Sequence, residues 1–412
     1  MTGDGALAPR TSDPIARLRN AAAARSAAGL RRTLNPRSAD HDGLLDLASN
    51  DYLGLSRHPR LIEAAVDAAR TWGAGATGSR LVTGTTALHS ALETALADFA
   101  GSSAALVFSS GYLANLAAIT SLVAALQTRP ADTARPSGAS VLVVSDAANH
   151  ASLIDACRLS RARVAVTPHA DVAAAREALA GRREEAAIMV TDAVFSVAGD
   201  LAPISDLHRV ARSHGALLLV DEAHSFGVVG PGGRGGVYAA GLAAAPDVVR
   251  TVTLSKSIAG QGGAVLGAPE VIQTVIDTGR SFIFDTGLAP ASVGAALAAL
   301  EVLKGSPELA CAARERARDL ACIAAGRGLR APWPDAAVIS VLIGAPEAAL
   351  NARRVCAAHG VHVACFRPPS VPAGRSCLRL AARPNLTHAD LKTVGRAFAA
   401  VRAQAPQELA RP

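Results

Sequence analysis

Lysine is almost missing from this chain. Of 41 Lys and Arg residues among 412, only Lys256, Lys304 and Lys392 are lysines. Aromatic residues make up just 3 %, so any core must be built from aliphatic and small side chains. Charged residues reach only 18 % against 50 % hydrophobic, which excludes a disordered chain or an acidic tail. No apolar run attains membrane-spanning length without proline, glycine or charge, and the opening residues lack the basic and apolar regions of a signal peptide. Six cysteines in so long a chain make no disulfide framework, and a reducing, cytoplasmic setting is expected. The spacing Cys356-x-x-His359-x-x-His362-x-x-Cys365 matches no tetrahedral zinc pattern. Gly360 interrupts the helical pattern and 361–365 alternates like a strand, so the four side chains would diverge. The net charge is +7, yet the arginines are scattered and no aromatics interleave with them. That argues against nucleic acid and suits a small anionic substrate.

At about 150 residues per domain, the length allows two or three domains. Residues 1–45 read as an N-terminal arm, rich in Arg and Ala, with a helix over 14–29. Over 46–290, β-branched apolar runs at 104–108, 141–144, 187–191, 216–220 and 248–254 alternate with helical patterns. In one such pattern Leu88, Leu92, Ala95, Leu96 and Phe99 share a helical face. Strands apolar throughout and separated by helices predict an α/β unit with a mostly parallel sheet covered on both sides. Over 291–412 the pattern changes to a long Ala/Leu helix, a strand at 336–343, a helix at 346–359, two strands (the second at 377–381), and a last helix opened by Thr387-x-x-Asp390. This reads as a smaller α+β domain. Residues 128–138 read as a surface loop.

The string GAGATG at 73–78 has the spacing of a dinucleotide fingerprint. Its context is wrong, because a helical pattern precedes it instead of a strand, and the acidic residue downstream, Glu93, falls inside a helix. Flexibility in a substrate-facing loop is the expected use of these glycines.

Ligands of open parallel sheets bind at the carboxyl ends of the strands. Those ends carry Ser145, Asp146, Asn149 and His150; then Asp192 and Ser196; then Asp221, Glu222 and His224; then Thr253, Ser255 and Lys256. Taken singly, an Asp there is a turn former, a His a packed side chain, and a Lys a solvated one. Lys304 and Lys392 lie in amphipathic helical patterns and read as solvated. Together, an acid at one strand end, a His three residues on and a Lys at the next strand end fit pyridoxal phosphate. The lysine supplies the Schiff base, and the acid keeps the pyridine nitrogen protonated so that the ring accepts electrons. Gly111 and Tyr112, opening a helix after a strand, offer backbone N–H groups to the phosphate, and His150 offers a ring face.

Eight segments then stand in one order: ASNDYLGLS at 48–56, GATGSR at 75–80, FSSGY at 108–112, NHAS at 149–152, VFS at 194–196, VDEAH at 220–224, TLSK at 253–256 and RPPSVP at 367–372. On these the chain resembles the α-oxoamine synthase family of fold-type I pyridoxal-phosphate enzymes over nearly its full length. The resemblance implies a large cofactor-binding α/β domain, a small C-terminal domain and a homodimer. It implies that Lys256 carries the cofactor and moves the Cα proton, that Asp221 partners the pyridinium, that His224 and Ser196 contact the phenolic oxygen, and that His150 stacks on the ring. Gly111, Tyr112 and Thr253 match phosphate contacts; Arg31, His150 and Ser370 match substrate contacts; Arg379 matches the arginine that holds the amino-acid carboxylate. Ser370 stands where the family usually has threonine, and Cys377 where an arginine often occurs. The implied reaction is decarboxylative condensation of L-alanine with a pimeloyl thioester, carried by coenzyme A or a carrier protein. Glycine with a short acyl-CoA would use the same core, and an aminotransferase is possible on the same fold. A binding protein with a degenerate site is disfavoured, because a chemically competent residue fills every role.

Overall fold

The computed structural model describes residues 13–34, 36–39, 43–128 and 140–404; the surface loop expected at 128–138 lies outside them from 129 onward. The strands are β1 (Leu45–Asp46), β2 (Ala104–Phe108), β3 (Val141–Asp146), β4 (Arg163–Thr167), β5 (Ala186–Asp192), β6 (Leu217–Asp221), β7 (Val248–Thr253), β8 (Gly263–Gly267), β9 (Val338–Gly344), β10 (Val361–His362), β11 (Ala364–Phe366) and β12 (Ser376–Ala381). The helices are α1 (Pro14–Ala27), α2 (Pro59–Trp72), α3 (Ala87–Ala100), α4 (Gly111–Gln127), α5 (Ala151–Ser160), α6 (Val172–Ala180), α7 (Ile204–Ser213), α8 (Gly236–Ala239), α9 (Pro269–Thr278), α10 (Arg280–Ile283), α11 (Pro290–Gly305), α12 (Glu308–Gly326), α13 (Pro346–Ala358) and α14 (His388–Gln404).

Seven strands form one sheet in the order β2-β8-β7-β6-β5-β3-β4. All its pairings are parallel except the two made by β8. β3, β5, β6 and β7 are buried along their whole lengths or all but their first residue, which is why they read as unbroken apolar runs. Two strands escape that pattern. β8 is bounded by Gly263 and Gly267, so its propensity reads weak. β4 is one of the two edge strands, and its exposed Arg163 and Val166 break the apolar run.

One face is covered by α4, α5 and α9, whose Ala, Leu and Ile side chains meet β2, β3 and β8. On the other, α2, α3 and α11 close a core around Leu92, Leu96, Val252 and Leu300, while α6 and α7 cover β3 and β5. The C-terminal unit is an antiparallel sheet, β11-β12-β9, backed by α12, α13 and α14 around Leu380 and Phe398. Residues before α2 join it, since β1 pairs in parallel with β10. The last helix is capped as its sequence predicts: the Thr387 Oγ1 accepts from Asp390 N at 3.2 Å, and Asp390 Oδ2 accepts from Thr387 N at 2.8 Å. α1 buries no residue. Among the described residues no helix is long and apolar enough to cross a membrane.

Candidate active site

β6 delivers Asp221 and β7 delivers Thr253, so the turn after β7 carries Lys256 to the sheet's carboxyl edge, beside the turn carrying His224. Lys256 Nζ lies 2.9 Å from His224 Nε2, and His224 Nδ1 lies 2.6 Å from Tyr52 Oη. Arg379, from β12 of the C-terminal unit, donates Nη2 to Tyr52 Oη (2.8 Å), Nη1 to Asn50 Oδ1 (2.7 Å) and Nε to the Ser196 carbonyl (2.6 Å). Its guanidinium is buried, and its partners are neutral; none of the ion pairs among the described residues includes it. A buried cation without a carboxylate is costly, and it is well suited to receive one.

The Asp221 carboxylate is buried and held from two sides. Asn115 Nδ2 donates to Oδ2 at 2.7 Å, and Ala223 N donates to Oδ1 at 2.8 Å. Asn115 is itself fixed, donating to Ser152 Oγ (2.8 Å) and accepting from Thr251 Oγ1 (2.6 Å). Neither Asn115 nor Tyr52 was assigned a role from sequence. Asn115 had a signal: it is the one carboxamide between two alanine- and leucine-rich turns of α4.

Burial lowers the pKa of Lys256 to about 8; Asp221 opposes this, Arg379 reinforces it and Asp192 opposes it. Burial likewise holds His224 well below the usual imidazole range, with Lys256, Arg379 and His150 adding to the effect. A neutral His224 then connects Tyr52 to Lys256 in either tautomer. When Lys256 is charged it donates to Nε2, and when it is free Nε2–H donates to it. Asp192 is raised well above the usual carboxyl range by burial and by the neighbouring Asp221, against the hydrogen bond it accepts from His150 N at 2.7 Å.

His150 caps α5, its Nδ1 accepting from Ser152 N at 3.2 Å and lying 2.7 Å from Ser152 Oγ. Its pKa is lowered, first by desolvation, with Asp221 opposing and Lys256 assisting. Gly111 and Tyr112 open the 17-residue helix α4, with Ser110 Oγ capping Leu113 N. The Gly111 and Tyr112 amides have no partner among the described residues, and a Cβ on Gly111 would meet Thr253 Cβ at 3.1 Å. Thr253 Oγ1 is 2.8 Å from Ser255 Oγ. Tyr112 is exposed and donates its hydroxyl to Asp155.

Ser196 sits beside this cluster, its carbonyl on Arg379, and lines a cavity of about 1140 Å³ between the two units. Ser370 lines the same cavity from the C-terminal side. Arg31 is not brought to the cluster: it lies in a separate cleft of about 580 Å³ with Arg353 and Arg367. Of the glycines at 73–78, Gly78 differs from expectation, whereas a Cβ on Gly73 or Gly75 would meet nothing within 4 Å. Gly73 ends α2 at φ +90°, and a Cβ on Gly78 would stand 2.1 Å from Thr83 Oγ1. The segment is pinned by Gly287 N donating to Gly78 O and by the Ser79–Thr286 bridge. Close packing, not flexibility, requires Gly78.

Buried acid, buried lysine and an open helix N-terminus at one edge of this sheet define the class, and the comparisons agree. Residues 42–398 match the model of the aminotransferase class I and II family, and the chain belongs to that family, with the fold-type I architecture of pyridoxal-phosphate transferases. It is 56 % identical over 390 residues to an 8-amino-7-oxononanoate synthase of Mycobacterium sp. (strain JLS), covering 94 % of this chain and 97 % of that protein. It is 55 % identical over 388 residues to the 8-amino-7-oxononanoate synthase of Mycobacterium leprae (strain TN), covering 94 % and 96 %. Among solved structures, a serine palmitoyltransferase from S. paucimobilis with bound PLP-myriocin superposes with a TM-score of 0.83 at 30 % identity, covering 94 % of this chain and 98 % of that one.

Proposed function

We propose that this chain condenses L-alanine with a pimeloyl thioester, releasing the thiol and CO2 and forming 8-amino-7-oxononanoate for biotin biosynthesis. The observation that carries the reading is a lysine amine held 2.9 Å from a neutral His224, near the buried Asp221 and a buried Arg379 that no acid pairs among the described residues. The similarity to 8-amino-7-oxononanoate synthases chooses among the reactions such a site can run.

The donor set fits pyridoxal phosphate. Lys256 would hold its aldehyde carbon, Asp221 its ring nitrogen, and the Gly111 and Tyr112 amides with Thr253 its phosphate. His150 would cover a ring face, and His224 with Ser196 would meet its phenolic oxygen. Bound there, the cofactor supplies an electron sink for a carbanion at the amino-acid Cα. Lys256 takes the Cα proton on Nζ; with a pKa near 8 it offers free amine close to neutrality. Asp221 is held in a single orientation by the N–H groups of Asn115 and Ala223. Arg379 holds the amino-acid carboxylate through its fork of N–H groups until that carboxylate departs as CO2. Ser370 would contact the acyl partner, whose distal carboxylate and carrier phosphates suit a chain of net charge +7.

We further propose a cytoplasmic homodimer. Leu81, Val82 and Phe284 are exposed, and the Ser79–Thr286 bridge brings their segments together, which makes an apolar patch fit for a second copy.

A thiol-release assay crossing L-alanine and glycine with pimeloyl-CoA and acetyl-CoA tests the reaction. Release that depends on L-alanine together with pimeloyl-CoA is expected. Fast release only with glycine and acetyl-CoA would overturn the assignment, and borohydride labelling of Lys304 or Lys392 instead of Lys256 would overturn the site.

A further inference from the structure

Of the three contacts that place Arg379, the one at its Nε is made by a backbone carbonyl. That carbonyl belongs to Ser196, near the tip of a hairpin over 194–201. The hairpin is closed by the Val194–Leu201 bridge, by Phe195 N donating to Asp200 O (3.0 Å) and by Gly199 N donating to Phe195 O (2.8 Å). On the C-terminal side it meets Ser340, whose hydroxyl donates to Val197 O, and a Cβ on Gly199 would stand 2.6 Å from Val338 O. On the side of the large sheet one side chain ties it down. His169 Nε2 lies 2.7 Å from Asp200 Oδ2, and the Phe195 ring meets the imidazole edge-on at 4.2 Å. Asp200 Oδ1 is buried without a hydrogen-bond partner, so His169 is the only side chain among the described residues that anchors this carboxylate.

The other end of His169 reaches a second wall of the site. Nδ1 lies 3.2 Å from Oδ1 of Asp146, the last residue of β3. Asp146 also accepts from Ala148 N and Ala170 N, both at 2.7 Å. Ala148 N starts the turn that presents Asn149 and His150. One imidazole therefore links the turn bearing His150 to the hairpin bearing the Ser196 carbonyl.

We propose that His169 is a positioning residue for the amino-acid substrate: its imidazolium clamps the 194–201 hairpin to β3 and so fixes Arg379 for the substrate carboxylate. The proposal rests on the functional reading above. Two carboxylates ask for two N–H donors, which only the protonated ring supplies; a neutral ring turns a lone pair toward one of them. Burial pulls the His169 pKa down, but hydrogen bonds to Asp200 and Asp146, followed by their charges, leave it raised. The acidic groups facing it are Asp146 from β3 and Asp200 from the hairpin. Arg330 and Arg375 of the C-terminal unit line the same cavity. Raising the pH through that raised pKa removes the second donor and loosens the hairpin.

The test compares the holoenzyme with His169→Phe, which keeps the ring against Phe195 and loses both polar contacts, and with His169→Gln, which restores one donor. For a half-exposed pair the effect is modest. At low pH, His169→Phe should raise the KM for the amino acid about fivefold, leaving kcat and the thioester KM within about twofold. The wild-type amino-acid KM should climb with pH toward the variant's, while the variant's stays flat. His169→Gln should fall between. Hydrogen exchange of residues 194–201 should quicken in His169→Phe while β5 and β6 stay protected. Unchanged exchange at 194–201 overturns the clamp, and so does an equal loss in kcat and both KM values. If neither L-alanine nor the thioester turns over in the wild type while exchange at 194–201 still responds to His169, the substrate reading has failed and the clamp stands.

Discussion

Lys256 shows how one buried side chain links chemistry to stability. Its folded pKa, about 8, lies below its ordinary 10.5, so between those values the unfolded chain holds a proton that the folded chain has released. Stability of the cofactor-free protein therefore rises with pH across that window, and folding pays the charge-burial cost below about 8. Chemical denaturation of cofactor-free wild type and Lys256→Met at several pH values checks this. The wild type should gain on the variant from pH 8 to pH 10.5, and parallel curves would refute the shift. The buried pair of Glu222 and Arg250 works differently. Arg250 also donates Nη1 to Ala100 O (2.7 Å) and Nη2 to Arg234 O (2.9 Å), while Glu222 Oε1 accepts from Val237 N (3.0 Å). Its polar atoms are satisfied, so it serves the scaffold beneath the site, not the chemistry.

At the scale of elements, the decisive contact is between β8 and the start of α4. The two approach so closely that a Cβ on Gly263 would stand 2.5 Å from the Gly111 Cα and N. That approach sets the helix N-terminus over the end of β7, where its free amides face the sheet edge. Gly263→Ala should cost about 1–3 kcal/mol by overpacking against backbone and should weaken cofactor retention with it. Gly267→Ala is the control, since its Cβ would meet only Val248 O at 3.5 Å and Val271 at 3.7 Å. Urea titration and cofactor absorbance after gel filtration measure both effects, and equal behaviour of the two variants would refute the account. The antiparallel direction of β8 is part of the same device, because it turns the chain back from Lys256 directly under α4.

For the molecule as a whole, the site is a junction. Asp221, His224 and Lys256 come from the seven-stranded sheet, Asn50 and Tyr52 from the segment after β1, and Arg379 from β12 of the C-terminal unit. α11 packs on α2 and α3 and leads on to α12, tying the units together. The apolar patch around Val82, 79 % exposed, and Phe284, 71 % exposed, faces none of this interior. Placing a charge there with Val82→Glu should convert the proposed dimer to monomer, read by light scattering, without altering the monomer's far-ultraviolet dichroism. A wild type that is monomeric at assay concentrations would refute the dimer.

The alternation of apolar strands and amphipathic helices is a local property, so the sequence by itself determined the α/β class, five of the seven strands of the large sheet, and the strand ends that bear Asp221, His224 and Lys256. The scarcity of lysine narrowed the candidates for a Schiff-base amine to Lys256. What pattern could not carry were contacts between residues far apart in the chain. Strand order, the reversed β8 and the edge position of β4 depend on pairing, which one strand's sequence does not encode. Asn115 was passed over because a carboxamide on a helix reveals its partner only when α4 crosses β6. Tyr52 and Asn50 lay in a quoted motif but gained a place in the candidate site only when Arg379 arrived from 327 and 329 residues away. Arg31, singled out by resemblance, sits in its own cleft away from Lys256. The sequence determined which chemical groups were present; tertiary packing decided which of them meet, because burial and pairing set both their geometry and their protonation.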